Sequence, residues 1–183
     1  MEKTQSDVHL LTFLHVSLYV HITESIGTNR TERTPIPKTG QFLCHIRGLD
    51  LENIEKCVLG LGAIYPYFEL SKKYPDPRNG QPHWVPVYRS EHIPDIVNPY
   101  WQPFCLDMEK LCHGDEEKKL RITVMDYEKR SSDRFIGEFI TSVGWLKKSV
   151  SKHGNAGREE AFVVQDGNQD QVGLIVVLQA GIR

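Results

Sequence analysis

Apolar and polar residues alternate in short bursts along this chain. In LHVSLYVHI, Leu14, Val16, Leu18, Val20 and Ile22 fall on one side, and His15, Ser17, Tyr19 and His21 on the other. A period of two is that of a half-buried strand, whose side chains point to opposite faces in turn. Phe42, Cys44 and Ile46 repeat it. Residues 67–72 and 84–91 follow, separated by Pro75-Asp76-Pro77-Arg78-Asn79-Gly80, a run of turn formers that predicts a hairpin. Residues 104–111 read as a further strand closed by His113-Gly114-Asp115. Leu120, Ile122 and Val124 alternate with Arg121, Thr123 and Met125, and segments 135–141, 161–165 and 174–179 complete the set. One stretch, GWLKKSVSKH at 144–153, reads as a short helix. Many short strands divided by Gly, Pro and Asn predict an all-β, antiparallel eight-stranded sandwich. The strand order puts the loop from Asp126 to Arg134 at one tip of it.

The length of 183 residues fits one domain spanning 1–183, with a core over about 12–180 and a long polar loop at 24–40 that is expected to be mobile. Segment 8–23 is apolar enough to raise the question of a signal or a membrane span. It is shorter than the ~20 apolar residues a spanning helix needs, and MEKTQSDVH before it has mixed charge where a signal would be basic. A net charge of -2 gives no global attraction to nucleic acid, so any basic site is a local patch. Cys44, Cys57, Cys105 and Cys112 form no CxxC pair and have no histidine at zinc spacing, so they read as small hydrophobes in a reducing compartment. Asn29-Arg30-Thr31 matches a glycosylation acceptor and, without a secretory signal, reads as chance. No GxSxG elbow, HExxH pair or P-loop occurs, and Gly60-Leu61-Gly62-Ala63 lacks the further glycine of a nucleotide site. These features point away from an enzyme and from a bound cofactor.

The runs VNPYWQPF (97–104), LCHGDEEKKLRITVMDYE (111–128) and FIGEFITSV (135–143) resemble a C2 domain, and most closely the second C2 domain of copines. The resemblance implies an eight-stranded sandwich whose apical loops meet membranes, with LHVSLYVHI as the first strand and VGLIVVLQA as the last. It reaches one C2 unit only, so a fragment of a longer copine-like chain and a stand-alone relative both remain open.

Calcium is a hard cation that takes ~6–8 oxygen ligands, so a C2 domain converges carboxylates from two loops. Where the resemblance implies an Asp before the proline of the first loop, this chain has Tyr65 before Pro66, and Glu55 is the one substitute ligand in that loop. The paired aspartates of the later loop align with Asp126 and Glu128, and the Asp before Phe-Ile-Gly is Arg134. Asp133 lies one residue early and on a regular strand points elsewhere, while Arg130 stands where copines often carry an acid. The expectation is weak or lost calcium binding, with Asp126, Glu128, Asp133 and Glu55 as the remnant carboxylates. Arg134 is expected either against Asp126 or Glu128 as a fixed cation, or as one more solvated loop charge.

Lipid binding is expected at two places. Lys129, Arg130 and Arg134 make the tip less negative, and Lys72, Lys73 and Arg89 on neighbouring strands, with Trp84 and His92 nearby, form a basic and aromatic set. Consecutive Lys72 and Lys73 point to opposite faces of a regular strand, so at most one of them joins it. Leu59, Leu61 and Ile64 are either exposed and able to enter a bilayer or buried beneath the first loop. The function expected is a non-catalytic module that binds anionic phospholipid membranes, peripheral at their cytoplasmic face. The alternative is a protein-interaction sandwich that binds neither lipid nor calcium.

Overall fold

Phe42, Cys44 and Ile46 are fully buried, and the residues between them are not, which makes β1 (Gln41–Leu49) a strand with one face in the core. The same rule shapes β5 (Leu120–Asp126), where Leu120, Ile122 and Val124 point inward. The computed structural model describes residues 38–53, 62–152 and 157–183, all of them within the unit Ile36–Arg183. The strand expected over 8–23, the Asn29 triplet, most of the 24–40 loop, Glu55, Cys57, Leu59 and Leu61 lie outside the described residues.

The other strands are β2 (Pro66–Pro75), β3 (Pro82–Arg89), β4 (Phe104–Asp107), β6 (Arg134–Thr141), β7 (Phe162–Gln165) and β8 (Gln171–Ile182). Their order is β3-β2-β5-β6-β7-β8-β1-β4, with every neighbouring pair antiparallel. Eight strands therefore lie among the described residues, the first of them starting at Gln41. The sheet curls into two halves, and β6 meets β7 at the pair Glu138↔Gln165. The edge strands β3 and β4 close the sandwich from the other side: the Tyr88 and Phe104 rings stack 4.6 Å apart, with Phe68 packed edge-on to Trp101 at 5.0 Å. The β2–β3 turn is the predicted hairpin connection. Asp76 and Gln81 close it with a 2.8 Å hydrogen bond, and Gly80 supplies the positive φ of +69°.

Residues 104–111 are not one strand. β4 stops at Asp107, whose carboxylate accepts from Lys110 N at 3.0 Å and caps α1 (Met108–Cys112). Met108, Leu111 and Cys112 are buried at helical spacing, while His113 ends the helix in the left-handed region. A short helix also stands where one was expected, as α2 (Val143–Lys148), with Ser142 Oγ accepting from Trp145 N at 3.1 Å. No helix among the described residues is long and apolar enough to cross a membrane.

Candidate functional site

The starts of β2 and β6 and the ends of β3 and β5 meet at one tip. Asp126, the last residue of β5, is 1 % exposed, and its Oδ1 accepts from Tyr65 N at 2.7 Å. Tyr127 N in turn donates to Tyr65 O at 3.0 Å. The first loop and the later loop are thus sewn together by backbone and carboxylate. Ile64, one residue before Tyr65, is 1 % exposed, so it belongs to the core and not to a bilayer-facing surface.

Asp133 is the hub of the later loop. Oδ1 accepts from Glu128 N at 3.0 Å, while Oδ2 accepts from Tyr67 Oη at 2.7 Å and Arg89 Nη2 at 2.8 Å. The Arg89 guanidinium also lies 3.9 Å from the centre of the Tyr67 ring. Burial pushes the Asp133 carboxyl up, but the hydrogen bonds from Glu128 N, Tyr67 and Arg89 and the Arg89 charge outweigh it and hold it below the usual carboxylate range. Tyr67 moves the opposite way: burial first, then its bond to Asp133, raise its phenol well above the ordinary value. The sequence argument that Asp133 points elsewhere treats it as a strand residue. It precedes β6 and sits in the loop, where strand alternation does not bind it.

The cation on Asp133 is Arg89, from the neighbouring strand. Arg134 stands opposite Asp126 in the β5–β6 ladder, with its Nε 3.2 Å from Glu128 Oε1. Lys129 and Arg130 are exposed in the same loop. Lys129 helps line a cleft of about 320 Å³ with Ala63, Tyr65, Glu128 and the stacked rings of His92 and Tyr127, which are 4.2 Å apart.

Behind the tip, opposed residues of the ladder share the outer face of β3-β2-β5-β6. Lys73 opposes Trp84, Ser71 opposes Arg121, and Glu69 opposes Arg89. The Trp84 ring has Lys73 Nζ at 5.2 Å and the Arg121 guanidinium at 5.1 Å from its centre, and Arg121 is also 3.3 Å from Glu138. Lys72 takes the other face, where its ammonium donates to the carbonyl of Lys110 in α1, so the structure sets it apart from Lys73, Trp84 and Arg89. Sequence reasoning did not include Arg121 or Tyr67 in the site. Their alternation was visible, but which neighbours they meet depends on strand pairing.

In the described part of this tip one oxygen of Asp126 and both of Asp133 accept from protein donors, and the Arg134 guanidinium lies against Glu128. Among the described residues no cluster of His, Cys, Asp and Glu is placed to hold a metal.

The sequence pattern of the C2 domain matches residues 43–156. A solved structure described as BON1-C2B superposes with a TM-score of 0.61 at 18% identity, covering 86% of this chain and 99% of its own. A C2 domain of plant Extended Synaptotagmin 1 gives 0.47 at 15% identity, covering 78% of this chain and 95% of its own. A C2 domain of RIM from Drosophila gives 0.38 at 19% identity, covering 78% of this chain and 100% of its own. The match of the family pattern over well more than half of the sequence leads to one conclusion: the chain belongs to the C2 domain family.

Proposed function

We propose that this chain is a non-catalytic C2 module that binds anionic phospholipid bilayers without needing calcium, peripheral at the cytoplasmic face of membranes. The observation that carries the reading is Asp133. Its carboxylate is saturated by Arg89, Tyr67 and Glu128 N, so the loop is held by a guanidinium where a metal-dependent loop awaits an ion. Lys129 and Arg130 at the tip, and Lys73 and Arg121 around Trp84, supply charge and an amphipathic ring for headgroups. The finer kinship, to the second C2 domain of copines, belongs to the same proposal and rests on the runs 97–104, 111–128 and 135–143.

Co-sedimentation tests it. The chain is expected to pellet with phosphatidylserine vesicles and not with phosphatidylcholine alone, and to release at high ionic strength. Lys73→Glu reverses one surface charge and should weaken capture by about 2 kcal/mol, roughly thirtyfold. If the chain pellets with neither vesicle, the lipid reading is wrong and the sandwich serves a protein partner.

A further inference from the structure

Trp145 in α2 is 57 % exposed, more than any other large apolar side chain among the described residues. It lines a cleft of about 330 Å³ together with Ile140, Thr141, Ser142, Glu117 and Lys119. Ile140 is 45 % exposed and Val163 is 42 % exposed. β6 and β7 pair at Glu138↔Gln165, and Ile140 and Val163 each lie two residues from that pair, at the same pleat position on their strands. For Ile140 that is the outer face, because it also opposes Arg121. Ile140 and Trp145, which line one cleft, thus continue the surface that carries Arg121, Trp84 and Lys73.

An exposed Trp and Ile lining one cleft, with an exposed Val on the adjoining strand, mark an interaction site. The charge around this one indicates the partner. Lys119 is exposed on the rim, and Lys147 and Lys148 follow Trp145, 2.9 Å from Glu116 and 3.9 Å from Glu117 respectively. Protein interfaces are depleted in lysine. Indole and branched side chains beside Lys and Arg are instead what settles at the headgroup level of an anionic bilayer.

We propose that Trp145, Ile140 and Val163 form a second bilayer contact, which seats the outer sheet face, and not the loop tip alone, on an anionic membrane. The inference rests on the membrane-binding reading above. Arg134 and Ile140 lie at opposite ends of β6, roughly 20 Å apart at the strand rise, so two such contacts fix the tilt of the domain.

The test uses phosphatidylserine vesicles doped with brominated phosphatidylcholine, which quenches indoles at the bilayer surface. Quenching is expected to be greater in the unaltered chain than in Trp145→Phe, with buried Trp101 as an internal reference. Trp145→Ala is expected to bind these vesicles about tenfold more weakly with an unchanged thermal midpoint. Equal quenching and equal affinity, with all forms pelleting, would overturn the inference and leave the membrane reading standing. Failure of the unaltered chain to pellet at all would overturn both. A concentration-dependent dimer that Trp145→Ala abolishes, with vesicle affinity untouched, would assign the patch to a second copy and also overturn it.

Discussion

Asp133 gathers three donors from three places in the chain, and its removal is expected to release them together. Asp133→Ala should lower the unfolding free energy by about 1–2 kcal/mol, as a hydrogen-bonded carboxylate that is partly open to solvent. Arg89→Gln removes only one of the three donors and should cost less than about 1 kcal/mol; urea titration measures both. The depressed carboxyl also sets a pH dependence. Its contribution is complete above the ordinary aspartate value of ~3.9 and is lost as pH falls through the lower folded value. Asp133→Asn should therefore flatten the acid limb of the stability curve, and superimposable acid limbs would remove Asp133 from this role. Part of this site was legible in the sequence: the missing Asp at Tyr65 and the cations beside Asp126 and Glu128. The partner of Asp133 was not. Counted back from the hairpin turn, Arg89 pairs with Phe68 and faces the core. The bulge between Leu70 and Ser71 moves it opposite Glu69, on the outer face beside Tyr67.

At the level of elements, the run 97–104 is largely structural. Trp101 is buried, with Nε1 donating to Pro66 O at 3.1 Å, while Asn98 Oδ1 accepts from Asp50 N at 2.7 Å and Val97 O from Leu51 N at 3.0 Å. That loop ties β1 to β2 and so positions the tip without belonging to it. Phe68 sits at the centre of the aromatic cluster, and Phe68→Ala should cost about 3–5 kcal/mol. Gly137 lies where the two halves of the sandwich join. A Cβ there would meet Gln165 O and Val172 Cγ2 at 2.7 Å, and the backbone atom cannot swing aside. Gly137→Ala should destabilise by about 1–3 kcal/mol, and a neutral result in thermal denaturation would mean the β6–β7 seam is looser than described. Alternation made most strands readable because one face of each is buried. It failed at 104–111, where Phe104, Leu106 and Met108 satisfy a period of two, and Met108, Leu111 and Cys112 satisfy a helical one. The cap at Asp107 settles the matter in favour of a break.

For the whole molecule, a net charge of -2 means that attraction to an anionic surface must come from an uneven distribution of charge. On the outer sheet face Lys73 and Arg121 flank Trp84, and Lys119 lies beside Ile140, among carboxylates that include Glu138 and Glu117. In the proposed function these cations supply the local attraction. The central claim is that this face meets a bilayer while Arg89 takes the place of a loop ion. The most direct test is a titration of phosphatidylserine vesicles against the full chain in calcium and again in chelator, at one low ionic strength. The account predicts superimposable binding curves. A curve that rises only with calcium would contradict it, showing that carboxylates of the tip still assemble a metal site and that Asp133 releases Arg89 to do so.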